Sequence, residues 1–380
     1  MTSPGPTPSA STPAVDTGRS PGTGAEPPIP EDRPAQQRHV NGYVALVHAV
    51  DEHGLLRRRH GYYGIRAAAT IAAFVAVMAS VVLIGDSWWQ LVPAAVLGVV
   101  STQFGFLGHD LAHRQVFNSA RANVWSARVV AGLFTGLSYT WWMGKHNAHH
   151  RSPNQEERDP DIGPGVLAFT PAAAAPRTGL AAWLTRRQGW AFFPLLTLEG
   201  VALHVVSVQT LLRDRTRTHR WLELTFIAIR LGGYAALLLS LLPVGKAAAA
   251  AGLHLAVFGV LLGGSFAPNH KGMPIVPATM EVDFLHRQVV MSRNISGGRL
   301  VEFMMGGLNR QIEHHLFPSM PRPNLARAAP LVRAYCAEHG IPYTETSLIR
   351  SYGIVVRYLN AVGLAERDPF QCPLVRRYRA

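Results

Sequence analysis

Cysteine is almost missing from this chain: Cys336 and Cys372 are the only two among 380 residues. Two cysteines in a polar C-terminal region make no disulfide framework. Without a CxxC pair or a four-cysteine set, no iron–sulfur centre of the chain's own is expected either. Charge is missing in blocks: residues 67–85, 87–108 and 247–268 contain no Asp, Glu, Lys or Arg. About 20 apolar residues cross a bilayer core of roughly 30 Å, so each block reads as a membrane span. A fourth run, 224–243, is interrupted only by Arg230, which can snorkel toward the headgroups from near a helix end. Large apolar residues are scarce in residues 1–38, which are rich in Pro, Ser, Thr and Gly. That stretch is expected to be a disordered tail without the apolar core of a signal peptide. No internal repeat is visible.

What is present is a basic, apolar chain, with net charge +13 and 48% hydrophobic residues. In a soluble protein such a charge raises the question of nucleic acid, but its distribution excludes that reading here. Basic residues gather before the first span (Arg57, Arg58, Arg59, Arg66), after the second (Arg114, Arg121, Arg128, Lys145) and before the third (Arg213, Arg215, Arg217, Arg220), while the two hairpin tips carry only Asp86 and Lys246. By the positive-inside rule both termini are expected in the cytoplasm and the tips outside, in the plasma membrane if the source is bacterial. Basic flanks facing anionic lipid account for the charge, with an acidic redox partner or a CoA-type substrate as a further use.

Two other apolar stretches are read as helices lying in the interface. Residues 129–143 are too few to span comfortably and end near Trp141 and Trp142; residues 192–209 contain Glu199 and His204, and a crossing there would put the following arginine cluster outside. The expected fold is an all-α integral membrane protein with four transmembrane helices in two hairpins, interfacial helices and a cytoplasmic helical cap over about residues 318–380. One domain is expected over residues 39–380, beginning with a cytoplasmic helix around Val44, Leu46, Val47 and Val50.

Seven of the 17 histidines fall into three clusters, each where an apolar run meets a basic segment. They are His109-Asp110-Leu111-Ala112-His113, His146-Asn147-Ala148-His149-His150 and Gln311-Ile312-Glu313-His314-His315. Residues three or four apart share a helix face, so these spacings present two or three imidazoles together, and neutral imidazole is a common ligand of iron, zinc and copper. A lone pair at this spacing is an ordinary surface feature; three clusters point to metal. A catalytic zinc takes about three protein ligands, so seven histidines imply two metals. His270, just after the last span, lies at the depth of His109 and makes an eighth. His254 lies 16 residues earlier, ~24 Å along a helix, and is expected to pack between helices. His204 is left open as a ligand. Nearby carboxylates and amides should orient the rings, with Asp110, Asn269, Asn309 and Glu313 the nearest candidates. Trp141, Trp142 and Lys145 are candidates for a substrate entrance as well as for interfacial anchoring.

Together with Gly306 through Pro318, reading GGLNRQIEHHLFP, these motifs closely resemble the membrane fatty acid desaturases over residues 41–360. Gln311, where other members have His, resembles the linoleoyl-CoA and front-end branch. The resemblance implies two iron ions that use O2 and two electrons to insert a cis double bond into an acyl chain. It implies His109, His113, His146, His149, His150, His270, His314 and His315 as ligands, and Gln311 beside the metals or bonded to one through water. The substrate would be an acyl-CoA or acyl-lipid drawn from the membrane. Many front-end members carry a fused cytochrome b5 domain with an HPGG motif; these 380 residues contain none, so electrons are expected from a separate ferredoxin or NAD(P)H-dependent reductase. Breaking an unactivated methylene C–H bond needs a redox metal, which zinc is not. Two readings compete: a di-iron membrane hydroxylase acting on alkane, lipid or carotenoid, and a zinc-dependent membrane hydrolase or receptor-like protein. A metal transporter would hold its ligands near the bilayer midplane rather than at one face.

Overall fold

The computed structural model describes residues 35–364, with side chains from residue 42 onward. The expected disordered tail and Cys372 lie outside them, except that residues 35–38 begin a helix. Fifteen α-helices are described: α1 Ala35–Glu52, α2 His60–Ile84, α3 Leu91–Ala112, α4 Ala120–Val129, α5 Tyr139–Arg151, α6 Pro171–Ala174, α7 Gly179–Thr185, α8 Gln188–Arg213, α9 Arg220–Leu241, α10 Val244–His270, α11 Phe284–Val290, α12 Arg299–Met304, α13 Gln311–Leu316, α14 Arg322–Glu338 and α15 Leu348–Gly363. The all-α expectation needs one amendment. Two short parallel strands, β1 Asn294–Ser296 and β2 Glu345–Ser347, tie the C-terminal region together.

Among the described residues five helices, rather than four, are long and apolar enough to cross a membrane: α2, α3 with the short turn before it, α8, α9 and α10. Their outward faces carry exposed Ile65, Val75, Leu83, Val92, Ile229 and Leu239, a surface suited to lipid. The helices themselves meet through small residues, the membrane solution to close packing. A Cβ on Gly259 of α10 would fall 2.5 Å from the backbone N of Gly200 in α8, and one on Gly98 of α3 would fall 2.9 Å from the carbonyl of His254. At the hairpin tips, Lys246 pairs with Asp86 at 2.8 Å.

Residues 129–143 do not form the single helix the sequence suggests. After α4 the chain widens into a π-helical turn, Val130–Thr135, and stops at Gly136 in the left-handed region (φ 79°). Ser138 then caps α5 by accepting from the Trp141 N–H. This broken stretch is packed inside the bundle, where Ala127, Val130, Thr135, Leu137 and Ser138 are buried. Glu223 of α9 holds it in place, accepting from Arg128 Nε (2.9 Å), Ser138 Oγ (2.6 Å) and Thr140 Oγ1 (2.5 Å).

The C-terminal region has its own core. Leu46 and Val50 of α1 pack with Val289, Ile312, Leu316, Met320 and Val332, so that α13, which carries the third motif, lies sandwiched over the ends of α3 and α10. Gly306 and Gly307 make the approach to α13 possible: both have positive φ, and side chains there would collide with the ring of Phe106 and with Arg322. The last helix is not separate from the apolar bundle. Tyr352 of α15 donates to the Gly264 carbonyl of α10 at 2.8 Å.

Candidate metal centre

All eight histidines singled out by the sequence converge where α3, α5, α10 and α13 meet, and they sort into two adjacent groups. His109, His113, His146, His150 and His314 form one; His149, His270 and His315 form the other, with ligand atoms in each group within 4.8 Å of one another. In the first group, Nε2 of His146 lies 2.8 Å from that of His113 and 3.0 Å from that of His150, which is 3.1 Å from that of His314. In the second, the Nε2 atoms of His149 and His270 are 3.3 Å apart. Two nitrogens bonded to one ion at right angles, each at about 2.1 Å, stand about 3 Å apart. The spacing therefore fits two metal positions. Furthermore, Nε2 of His109 and Nε2 of His315 are buried without a hydrogen-bond partner, which a native interior rarely tolerates and a metal bond would relieve.

Most of the rings are disfavoured as cations, and several are held in orientation. Burial, reinforced by the neighbouring imidazoles, keeps His113, His146, His150, His314 and His315 well below the ordinary histidine range. Several rings direct Nδ1 at an acceptor, which leaves Nε2 for a metal. His149 donates to Asp159 (3.0 Å), His270 to the Met291 carbonyl (3.0 Å) and His315 to Gln288 Oε1 (2.8 Å). Trp142 stacks on His146 with ring centres 4.3 Å apart.

The expected supporting residues divide. Asp110 lies 3.4 Å from His109 Nδ1 and is itself paired with buried Arg322. Gln311 lies at the second group, its amide nitrogen 3.0 Å from His270 Nε2 while Asn269 Nδ2 donates to its oxygen at 3.0 Å. Asn309 and Glu313 do not orient the rings. Asn309 reaches the Ile295 carbonyl, and Glu313 turns away from the histidines to accept from Tyr343 (2.7 Å) and Asn294 (2.8 Å). Side chains that neighbour in sequence leave a helix in different directions, so adjacency to His314 does not bring Glu313 to the site. His204 joins neither group; its ring lies between the Gly200 carbonyl and the Thr135 carbonyl, the latter 2.9 Å from Nε2. His254 contacts Ser101 of α3 at 3.1 Å.

The sequence reading missed Asp159, Asp161, Gln288 and Lys271. Asp159 is ten residues past His149 in an irregular loop, with no periodicity to mark it. Its oxygens also accept the backbone N–H groups of Asn154 (2.7 Å) and Asp161 (2.9 Å), so the loop is built around the carboxylate. Burial disfavours a charge on His149, yet Asp161 and Asp159 together outweigh it and raise its pKa. Lys145 and Lys271 join the same network: Lys145 pairs with the Asp161 carboxylate at 2.8 Å, and Lys271 donates to the Asp161 carbonyl at 2.8 Å. The chain has only one other lysine, Lys246.

His109, His146, His149 and His270 form part of the wall of a cavity of about 670 Å³, which Trp141, Trp142 and Lys145 also line. Lys271, Asp161 and Glu199 give its lining a charged part, whereas Phe104, Leu196, Leu203, Leu262 and Phe266 give it an apolar one. A volume of this order suits one extended small molecule.

Comparison with known proteins bears on what this arrangement serves. The profile of the family described as fatty acid desaturase matches residues 86–347. An acyl-lipid (9-3)-desaturase of Physcomitrium patens is 30% identical over 81% of this chain, and the match spans 60% of that protein's length. Fatty acid desaturase 3 of Bos taurus is 30% identical over 88% of this chain and 75% of its own length. A Delta(6)-fatty-acid desaturase of Caenorhabditis elegans is 26% identical over 85% of this chain and 75% of its own. With three histidine motifs gathered at one centre and a family match across most of its length, the chain belongs to the fatty acid desaturase family.

Proposed function

We propose that this chain is an O2-dependent fatty acyl desaturase. The observation that carries the reading is the position of residues from both histidine groups on the wall of a mainly apolar cavity that Lys145, Lys271 and Asp161 also line. His109, His113, His146, His150 and His314 would hold one iron; His149, His270 and His315 would hold the other, with the Gln311 amide beside it. When bound, the iron pair supplies the oxidising power, with O2 and two electrons, to remove two hydrogens from adjacent methylenes.

The protein's own residues do the positioning. Phe104, Leu262 and Phe266 hold the acyl chain against the histidine wall and keep water from the reacting carbons. Lys145 and Lys271 directly follow or precede the ligands His146 and His270 in the chain, so an acyl carrier, CoA or glycerolipid, bound at these ammonium groups would sit close to the irons. Asp159 fixes the proton on His149 Nδ1 and presents Nε2 to the metal. The two electrons come from a redox donor such as a ferredoxin or an NAD(P)H-dependent reductase.

We assign residues 39–380 to one domain with four spans, α2, α3, α9 and α10, and with both termini and the histidines on the cytoplasmic side. Contacts at both ends of α8 support its lying across the bundle: Asn360 of α15 accepts from the Gly189 N–H near its start, and Arg217 just past its end donates to the Thr140 carbonyl of α5. A reporter fused after Asp214 should remain cytoplasmic; an external reporter would assign α8 as a fifth crossing.

Expression in a host without desaturases tests the activity. Its lipids should gain an acyl chain two hydrogens lighter, only in the presence of O2. A product heavier by one oxygen would favour a hydroxylase. Purified protein with two zinc ions, no iron and no O2 consumption would sink both.

A further inference from the structure

The cavity does not run on indefinitely beyond the histidines. Along α10 its lining descends from His270 to Leu262, eight residues or ~12 Å; along α3 it descends from His109 to Phe104, five residues or ~7.5 Å. At that depth Ala131 and Thr135 of the π-helical turn line it together with Phe104. Turns of this kind are rare and concentrate at functional sites.

Two polar side chains that do not line the cavity hold this turn from behind. Arg230 of α9 donates from Nε to the Phe134 carbonyl at 3.0 Å, and the His204 ring of α8 is wedged between the Gly200 carbonyl at Nδ1 and the next carbonyl of the turn, Thr135, 2.9 Å from Nε2. Arg230 is 6% exposed, lies within an apolar helix and pairs with no carboxylate among the described residues. A guanidinium at such a depth is costly and marks a functional position by default. Its plane sits over Phe74 (5.9 Å) and Tyr234 (5.2 Å). Phe74 packs edge-on against Phe104 and Phe134, which stack on each other at 4.3 Å. The turn has no room to shift sideways: a Cβ on Gly132 would fall 2.6 Å from Phe226, and one on Gly136 would fall 2.9 Å from His204 Nε2.

We propose that Arg230 and His204 are positioning residues that clamp the π-helical turn as a fixed end wall, and that this wall sets which acyl chain lengths fit and which methylene faces the histidines. The inference rests on the desaturase reading above. With the carrier held at the lysine end and the methyl end stopped by the wall, the chain cannot slide, so depth becomes selectivity. A loosened wall would let longer chains in and spread the position of reaction.

The test feeds saturated fatty acids of increasing length to the desaturase-free host producing the full chain, and reads product length and double-bond position by mass spectrometry, with iron content measured on purified protein. Arg230→Met should keep the parent's iron content and shift the ratio of longest to shortest product by about tenfold toward the longest, since one methylene in an apolar pocket is worth roughly 10–200-fold. Arg230→Lys, which can still donate to Phe134, should move it less. Ala131→Leu, which shortens the cavity directly, should shift the ratio the other way and covers the case in which Arg230→Met fails to accumulate. An iron-loaded Arg230→Met protein with the parent's product ratio and double-bond position would overturn the clamp, and an unchanged profile in Ala131→Leu would overturn the end wall. A parent chain that desaturates no acid of any length would instead refute the desaturase reading.

Discussion

Replacing His146 by alanine is expected to lower bound iron from two per chain to one or fewer and to cut desaturated product by more than ~100-fold, beyond the 10–100-fold typical of losing a residue that merely supports a ligand. His146 stands at the middle of the first group, its Nε2 within 3.0 Å of the Nε2 atoms of both His113 and His150. Its removal therefore takes a donor from between two others and unseats Trp142, which stacks on it. Iron by mass spectrometry and fatty acid analysis of the host are the measurements. His254→Ala is the matched comparison: this histidine is as buried, but its ring contacts Ser101 and Tyr234 rather than the centre, so iron content should persist. A His146→Ala protein with two irons and the parent's product would remove His146 from the ligand set.

Asp159→Asn should cost 10–100-fold in metal affinity or activity, although it changes neither the size nor the shape of the side chain. Both carboxylate oxygens are committed. One accepts from His149 and the Asn154 N–H, the other from His149 and the Asp161 N–H. An asparagine amide must set its own NH2 against one of those backbone donors, whichever way it is turned, and a buried donor facing a donor is left unsatisfied. It also removes the negative charge that strengthens His149 as a ligand. Competition with a chelator should strip the second iron first, leaving close to one per chain. Equal chelator resistance in parent and variant would show that Asp159 only shapes the loop.

Much of the centre was legible from spacing. HxxxH and HxxHH bring imidazoles together through helix periodicity alone, and the charge-free runs locate helices through the thickness of the bilayer. His270 could be separated from His254 by counting rise along one helix. Other features had no such signature. Asp159 acts from an irregular loop ten residues past His149 and Gln288 from another helix 27 residues before His315, where no period relates them to the rings they hold. Glu313 and Asn309 were plausible by adjacency alone, yet their side chains leave α13 and its preceding turn toward Tyr343 and Ile295. The stretch 129–143 read as one helix because it is uncharged and mainly apolar. The break at Gly136 depends on close approach of His204 and Leu231 from helices that follow 60 or more residues later.

By itself the sequence determined that this is a membrane protein with histidine clusters sufficient for two metals, because hydrophobic length and helical repeat are local properties that survive any packing. Only the tertiary structure decided how eight rings divide into groups of five and three, which carboxylate supports which imidazole, and where the apolar cavity ends. Those depend on non-local contacts between α3, α5, α8, α10 and α13. No local rule sets their distances, which follow from the close approach of glycines and from buried polar groups finding partners on other helices.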